Sequence, residues 1–233
     1  MDTEASERTK DYVRASFSEA TLRAYKSDIE HFVACGGVIP ASPELVANYL
    51  AAYAGILSVS TLSRRVAALS KMHEVKGFDN PVKTELVRAT MRGIRRKHHT
   101  APKQVSPITK ARLFKMLKTC EEDIKGVRDR ALLLIGFASA LRRSELVALN
   151  CSHVEFVPEG AILNIVRSKT DQQGEGRRIG IPYARGDYCP VKSLKKYMET
   201  TELKEGPLFR SLGEVELSKA RLAAHGVAYI IKR

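Results

Sequence analysis

Apolar residues recur at helical spacing in four successive segments between residues 18 and 99. Two of these segments open with a capping residue followed by proline, Ser42-Pro43 and Asn80-Pro81, which is typical of a helix N-terminus. Glycines end the first three segments, at Gly36-Gly37, Gly55 and Gly77. Short connections between four amphipathic helices predict a compact helical bundle.

The second half of the chain mixes helical and strand patterns. Residues 128–140 are largely apolar and predict a buried helix, and helical patterns resume at Cys189-Pro190 and near Ser218. The β-branched segments 161–166 and 178–182 flank a loop rich in turn formers and predict a β-hairpin. The fold class predicted is therefore mainly α with a small β-hairpin or sheet.

A polar segment with a proline, Thr100–Val105, interrupts the helical period and predicts an interdomain linker. We therefore predict a flexible N-terminus, a four-helix domain, a linker and a mixed α+β domain. Their boundaries are 1–17, 18–99, 100–105 and 106–233.

The composition is that of a soluble globular chain, with 44% hydrophobic and 28% charged residues. The longest apolar run, Ala131–Ala138, is too short to cross a bilayer, and no secretory signal opens the chain. We expect a cytoplasmic protein that uses no membrane, metal or cofactor. The cysteines form no CxxC pair, so buried free thiols are expected rather than zinc ligands or disulfides: Cys35, Cys120, Cys151 and Cys189.

The charge balance points to a polyanionic partner. The chain carries 39 Lys and Arg against 26 Asp and Glu, a net charge of +13. Residues 1–105 hold 16 basic and 11 acidic side chains, so the excess is not confined to a tail. A cationic folded surface favours DNA or RNA over an anionic membrane, although a solvated surface without a partner has the same charge.

The last helix of the bundle concentrates positive charge on one face. Arg88, Arg92, Arg95 and Arg96 follow helical spacing, while Val87 and its apolar neighbours define another face. Between Pro81 and Lys103 there are seven basic residues and one acidic residue, with no acidic partner at helical spacing. Such a stripe can follow a phosphate backbone; the alternative is an exposed face that only maintains solubility.

A paired arginine, Arg142-Arg143, ends the apolar helix and precedes Ser144-Glu145. A guanidinium delivered by a buried helix is costly unless it meets an anion or a carboxylate. One interpretation is an anion site, and the other is a buried ion pair of either arginine with Glu145 or Asp129.

Three motifs, in order along nearly the whole chain, resemble the tyrosine recombinase (phage integrase) family. Residues 140–149, ALRRSELVAL, resemble the family's first arginine box. The segment VRSKTD at 166–171, followed by RRIGIP at 177–182, resembles the strand-turn-strand that carries the catalytic lysine. Residues 18–99 resemble the SAM-like core-binding bundle, and GPLF at 206–209 and residues 222–233 match the family's order of elements.

The resemblance implies a protein that clamps duplex DNA between two domains, cuts one strand through a 3′-phosphotyrosyl link and associates with itself on DNA. It implies that Arg142 stabilises charge on the phosphate, that Glu145 supports Arg142, and that Lys169 donates a proton to the leaving 5′-oxygen. The spacing to Ser144-Glu145 favours Arg142 over Arg143 for the first role. The basic side chains predicted to contact DNA are Arg64, Arg65, Arg88, Arg92, Arg95, Arg96, Lys97 and Arg143.

The family's later boxes are missing from these residues. None of the six histidines begins an HxxR, and all eight tyrosines precede the place where that box belongs. Tyr229 shares a predicted helix with Val227 and is expected in the core. The catalytic domain is therefore expected to be incomplete at its C-terminus, with apolar surface exposed near residues 218–233 and no strand cleavage by this chain alone. The alternatives are a partial recombinase, a cleavage-incompetent protein that occupies recombination sites, and an unrelated basic helical module.

Overall fold

The computed structural model describes residues 7–98, 106–166, 176–213 and 217–232. These residues form mostly helices, together with two small antiparallel sheets, so the fold is mainly α as predicted. The chain divides into two compact units, residues 1–104 and 105–233. The predicted linker, 100–105, lies outside the described residues. No helix in the described ranges combines the length and the apolar character needed to span a bilayer.

The first unit is helical, and three of its helices begin directly after a capping serine. Ser18, Ser42 and Ser58 each accept a hydrogen bond from the backbone N–H three residues further on, at 3.1 to 3.2 Å. The helices pack around a core that includes Phe32 and Leu50. Their bounds are α1 Glu7–Ala15, α2 Glu19–Ala34, α3 Pro43–Ala52, α4 Val59–Val75 and α5 Glu85–His98.

Two local features of this unit differ from what the sequence led us to expect. Helix α1 occupies part of the N-terminus that we expected to be flexible, and its Glu7 and Arg14 lie at the ends that suit the helix dipole. Residues 81–83 form a separate 3-10 turn, because the Asn80 side chain accepts from the Val82 N–H and Thr84 returns to extended backbone before α5 begins.

In the second unit, four helices and a three-stranded sheet surround a buried helix, α7 (Ile124–Ser139). The strand order is β1-β2-β3, all antiparallel, and Ile165 at the end of β2 pairs with Arg177 at the start of β3. Leu132 of α7 and Leu163 of β2 belong to the core. The helices are α6 Lys110–Leu117, α7 Ile124–Ser139, α8 Arg143–Ala148, α9 Pro190–Thr200 and α10 Ala224–Lys232. The strands are β1 Val154–Val157, β2 Gly160–Ile165, β3 Arg177–Pro182, β4 Arg210–Leu212 and β5 Leu217–Arg221.

Three further predictions, two in the second unit and one at Cys35 of the first, need correction. Ser218 lies in strand β5 rather than in a helix, because Leu217 and Arg221 on either side of it pair with β4. Tyr229 lies on α10 but is 71% exposed, so it is not a core residue; Val227 on the same helix is buried. All four cysteines are free thiols, but Cys35 is exposed rather than buried.

Tyr197 is a buried phenol that stacks on Phe209, with ring centroids 5.9 Å apart. Among the described residues no group makes a hydrogen bond of ordinary geometry to its hydroxyl. Burial raises the pKa of Tyr197 to about 12, and the nearby Arg210 backbone opposes this only in part. We expect the free energy of unfolding of Tyr197→Phe, measured by urea titration, to lie within about 1 kcal/mol of the parent value or above it. The reason is that the substitution removes a buried polar group that lacks a good partner. Tyr197→Ala, which leaves a cavity, should cost about 3–5 kcal/mol in the same urea titration. A large loss in the Phe variant would mean that the hydroxyl has a partner.

Candidate active site and basic surface

The turn between α7 and α8 positions Arg142. Ala140 ends α7 in the left-handed region, with φ at 50°, and Arg142 then takes extended backbone as the N-cap of α8. The Arg142 backbone N–H donates to Oε2 of Glu145 at 3.0 Å, which caps the helix. The cap therefore holds Glu145 beneath the arginine that precedes the helix.

Glu145 is 5% exposed and accepts from two arginines. Arg142 Nη1 donates to Oε1 at 2.7 Å, and Arg177 Nη2 donates to Oε2 at 3.2 Å. Both arginine side chains remain 48% exposed. The ion-pair interpretation is thus correct about the contact between Arg142 and Glu145, but the guanidinium groups also reach the surface.

The other buried carboxylate considered in the sequence, Asp129, pairs with Arg128. The Nε and Nη2 atoms of Arg128 donate to Oδ1 of Asp129 at 2.9 and 2.7 Å, and both residues are buried. This pair lies inside the fold. Arg143 is exposed and borders an apolar groove with Phe137 and Ile231.

Two guanidinium groups around one carboxylate leave a net positive charge at a half-exposed position. Arginine presents planar N–H groups that match the oxygens of a phosphate. The arrangement can hold a phosphodiester and stabilise charge that develops on its non-bridging oxygens. Lys169 lies outside the described residues, so its placement relative to Arg142 stays a prediction. Among the described residues, no group of three or more His, Cys, Asp or Glu could hold a metal ion.

Helix α5 carries the predicted basic stripe on its exposed face, opposite the buried Val87, Met91 and Ile94. Arg92 contacts Glu85, and this hydrogen bond, with the charge of Arg92, lowers the pKa of Glu85. The expectation that the stripe has no acidic partner is therefore wrong for Arg92. The exposed basic residues are Arg88, Arg92, Arg95, Arg96 and Lys97.

Arg64 and Arg65 differ sharply although they are neighbours on α4. Arg64 is half-exposed and binds both oxygens of the buried Asp28, at 2.8 and 3.0 Å, which raises the pKa of Arg64. Arg65 is 8% exposed and donates to the Tyr49 hydroxyl at 2.7 Å. Arg65 is therefore held inside the first unit, which argues against the predicted contact of Arg65 with DNA.

The structure adds Arg177 and Asp28 to the residues that the sequence singled out. The sequence indicates Arg177 only as the start of a strand. Successive residues of a strand point to opposite faces, so Arg177 and Arg178 lie on different sides of the sheet, but the strand pattern does not say which of them faces α8. Asp28 lies three residues after Tyr25 and four before Phe32, so the helical period places it on the buried face of α2.

The two units, with an arginine oriented by a buried glutamate in the second, have the architecture expected of a recombinase core. No protein-family model matches the chain. An "Integrase/recombinase xerD homolog" of Selenomonas ruminantium is 38% identical over 237 residues, which covers 97% of this chain and 70% of that protein. The chain belongs to the tyrosine recombinase (integrase) family.

Solved structures show the same fold at low sequence identity. A lambda integrase dimer bound to a COC′ core site matches with a TM-score of 0.63 at 17% identity, covering 96% of this chain and 59% of that one. A lambda integrase tetramer bound to a Holliday junction matches with a TM-score of 0.64, also at 17% identity, covering 96% and 62%. The chain thus spans about three fifths of these two lambda integrase chains.

Proposed function

We propose that this protein acts in site-specific DNA recombination, as a tyrosine recombinase that clamps duplex DNA between residues 18–99 and 106–233. The observation that carries the proposal is the half-exposed Arg142, fixed by two contacts to the buried Glu145. A guanidinium held in place before the substrate arrives needs no reorganisation when charge develops on the phosphate. The relationship to a recombinase across 97% of the chain supports the assignment.

In this proposal each charged residue has a separate task. Arg142 stabilises the non-bridging oxygens of the scissile phosphate, and Glu145 orients Arg142. Lys169 protonates the 5′-oxygen that leaves when the 3′-phosphotyrosyl link forms, and the free 5′-hydroxyl later reverses that step. The stripe of α5, with Arg64 and Arg143, contacts the DNA backbone. The protein works in the cytoplasm without a metal or cofactor and associates with further copies on DNA.

A second candidate is a DNA-binding protein that occupies recombination sites without cutting them. The absence of HxxR from residues 1–233 favours this for the chain by itself. The test uses a DNA duplex that the protein has been shown to bind. In one strand of this duplex, sulfur replaces the bridging 5′-oxygens, and because the released 5′-thiol does not attack the phosphotyrosyl link, any covalent intermediate accumulates. We expect binding but no covalent adduct. An adduct would exclude the second candidate, and peptide mapping would identify the tyrosine that attacks.

The catalytic assignment is tested by joining residues 1–233 to a family segment that carries HxxR and the nucleophilic tyrosine. In this fusion protein, Arg142→Ala and Lys169→Ala should each lower the rate of adduct formation by at least about a hundredfold. Binding to the same duplex, measured by gel shift, should change by less than about threefold. Loss of binding in step with loss of cleavage would show that the two residues support the fold instead.

A further inference from the structure

Arg177 reaches Glu145 from a different element than Arg142 does. Arg142 precedes α8, whereas Arg177 opens strand β3, and the two guanidinium groups contact different oxygens of one carboxylate. Gly176 fixes the start of this strand, because its φ is +68° and a Cβ atom there would lie 2.8 Å from the Ile165 carbonyl oxygen. The backbone thus brings Arg177 to Glu145 from the sheet side.

We propose that Arg177 is a second phosphate-binding arginine that grips the same DNA phosphate as Arg142. Within the described part of the chain its guanidinium donates one hydrogen bond, to Glu145, and the side chain is 48% exposed. A guanidinium has five N–H groups, and a single hydrogen bond to a carboxylate oxygen uses one of them. Two arginines converging on one carboxylate present their outer N–H groups to a single anion, which a lone arginine cannot clamp from two sides.

This inference rests on the proposed function for the identity of the anion, a phosphodiester of duplex DNA. Glu145 has a positioning role toward both arginines. Without its charge, the two guanidinium groups would repel each other and separate. The negative charge therefore keeps two positive groups close enough to share one ligand.

Arg178 supplies a matched control on the same strand. It follows Arg177 directly and points to the opposite face, where it pairs with Glu155 at 2.8 Å. Its side chain is 64% exposed. Arg177→Ala and Arg178→Ala therefore remove the same charge from adjacent positions, and only the first lies beside Glu145.

The first experiment titrates inorganic phosphate into the protein of residues 1–233 and follows the arginine Nε–H resonances by NMR. We expect Arg142 and Arg177 to shift together with one saturation curve, while Arg178 stays unchanged. In Arg177→Ala, the affinity reported by Arg142 should fall by about tenfold. An unmoved Arg177 resonance, or an Arg142 response that survives in the variant, would overturn the proposal, whether or not the protein binds DNA.

The second experiment measures binding to a 30-base-pair duplex by fluorescence anisotropy at several salt concentrations. Arg177→Ala should lower the salt slope by about 0.9, as expected for one lost phosphate contact, and Arg177→Lys should restore it. Arg178→Ala should leave the slope unchanged. Arg142→Ala and Arg177→Ala should combine to less than the sum of their effects, because they share one ligand. No binding by the parent protein would refute the proposed function, whereas binding with equal slopes for both Ala variants would refute the role of Arg177.

Discussion

Reversing three charges on α5, with Arg88→Glu, Arg95→Glu and Arg96→Glu, should weaken DNA binding by at least about a hundredfold at 0.1 M salt. The three side chains are exposed on one face of α5, and Arg95 is close to Ser63 on α4, with Nη2 3.4 Å from the hydroxyl. Each lost phosphate contact removes a released counterion, so the slope of log affinity against log salt should fall by about three. Fluorescence anisotropy with a labelled duplex between about 50 and 200 mM salt measures both quantities.

The control for this triple variant carries the same change in net charge elsewhere in the first unit. Arg23→Glu, Lys26→Glu and Lys76→Glu also alter exposed residues, but none of these residues lies on α5. The control variant should lose only the long-range attraction between protein and DNA. Its slope of log affinity against log salt should therefore change little. If both triple variants lose the same slope, α5 is not the phosphate-contacting surface and the charge acts only through the net field.

Replacing Asp28 by alanine should lower the stability of the first unit by about 3–5 kcal/mol. Asp28 is 3% exposed; it binds Arg64 through both oxygens and lies 3.6 Å from Nε of Arg65. Arg65 is itself buried, so the substitution leaves a cation inside the fold without its carboxylate. The loss is a large share of the total stability of an ordinary domain.

Amide hydrogen exchange on peptides from α2 and α4 measures this loss locally, which matters because each unit has its own core. Protection should fall in these helices and stay unchanged in α7 and β2. Glu85→Gln, which breaks the exposed contact with Arg92, serves as the comparison and should change little. Equal protection in the parent and the Asp28→Ala protein would mean that the buried network does not support the unit.

The helices of the first unit could be predicted because their signals are local. A serine before each helix and a glycine after it determine where α2 and α3 begin and end, whatever the rest of the chain does. The pair β4 and β5 escaped prediction because β5 is short and polar, and only its partner makes it a strand. In the sequence of β5, apolar and polar residues do not alternate clearly enough to favour a strand over a helix.

The site shows the same division between local and distant signals. Arg65 lies three residues after Leu62 and four before Leu69, so the helical period alone places it on the buried face of α4. Its partner Asp28 lies on another helix, and no local pattern joins the two residues. The contact between Glu145 and Arg177 likewise depends on how β3 packs beside α8, 32 residues away along the chain. Periodicity indicates which side chains are buried, but tertiary packing decides which charges meet.

The double use of Glu145 also limits how this position can change during evolution. A glutamine there could still accept from the Arg142 N–H and cap α8, but it would bring no charge to hold Arg142 and Arg177 together. An aspartate would keep the charge but would be one methylene too short to span from the helix to both guanidinium groups. Descendants of this protein can exchange exposed arginines on α5 one at a time, whereas a change at Glu145 disrupts a helix start and two cations in a single step.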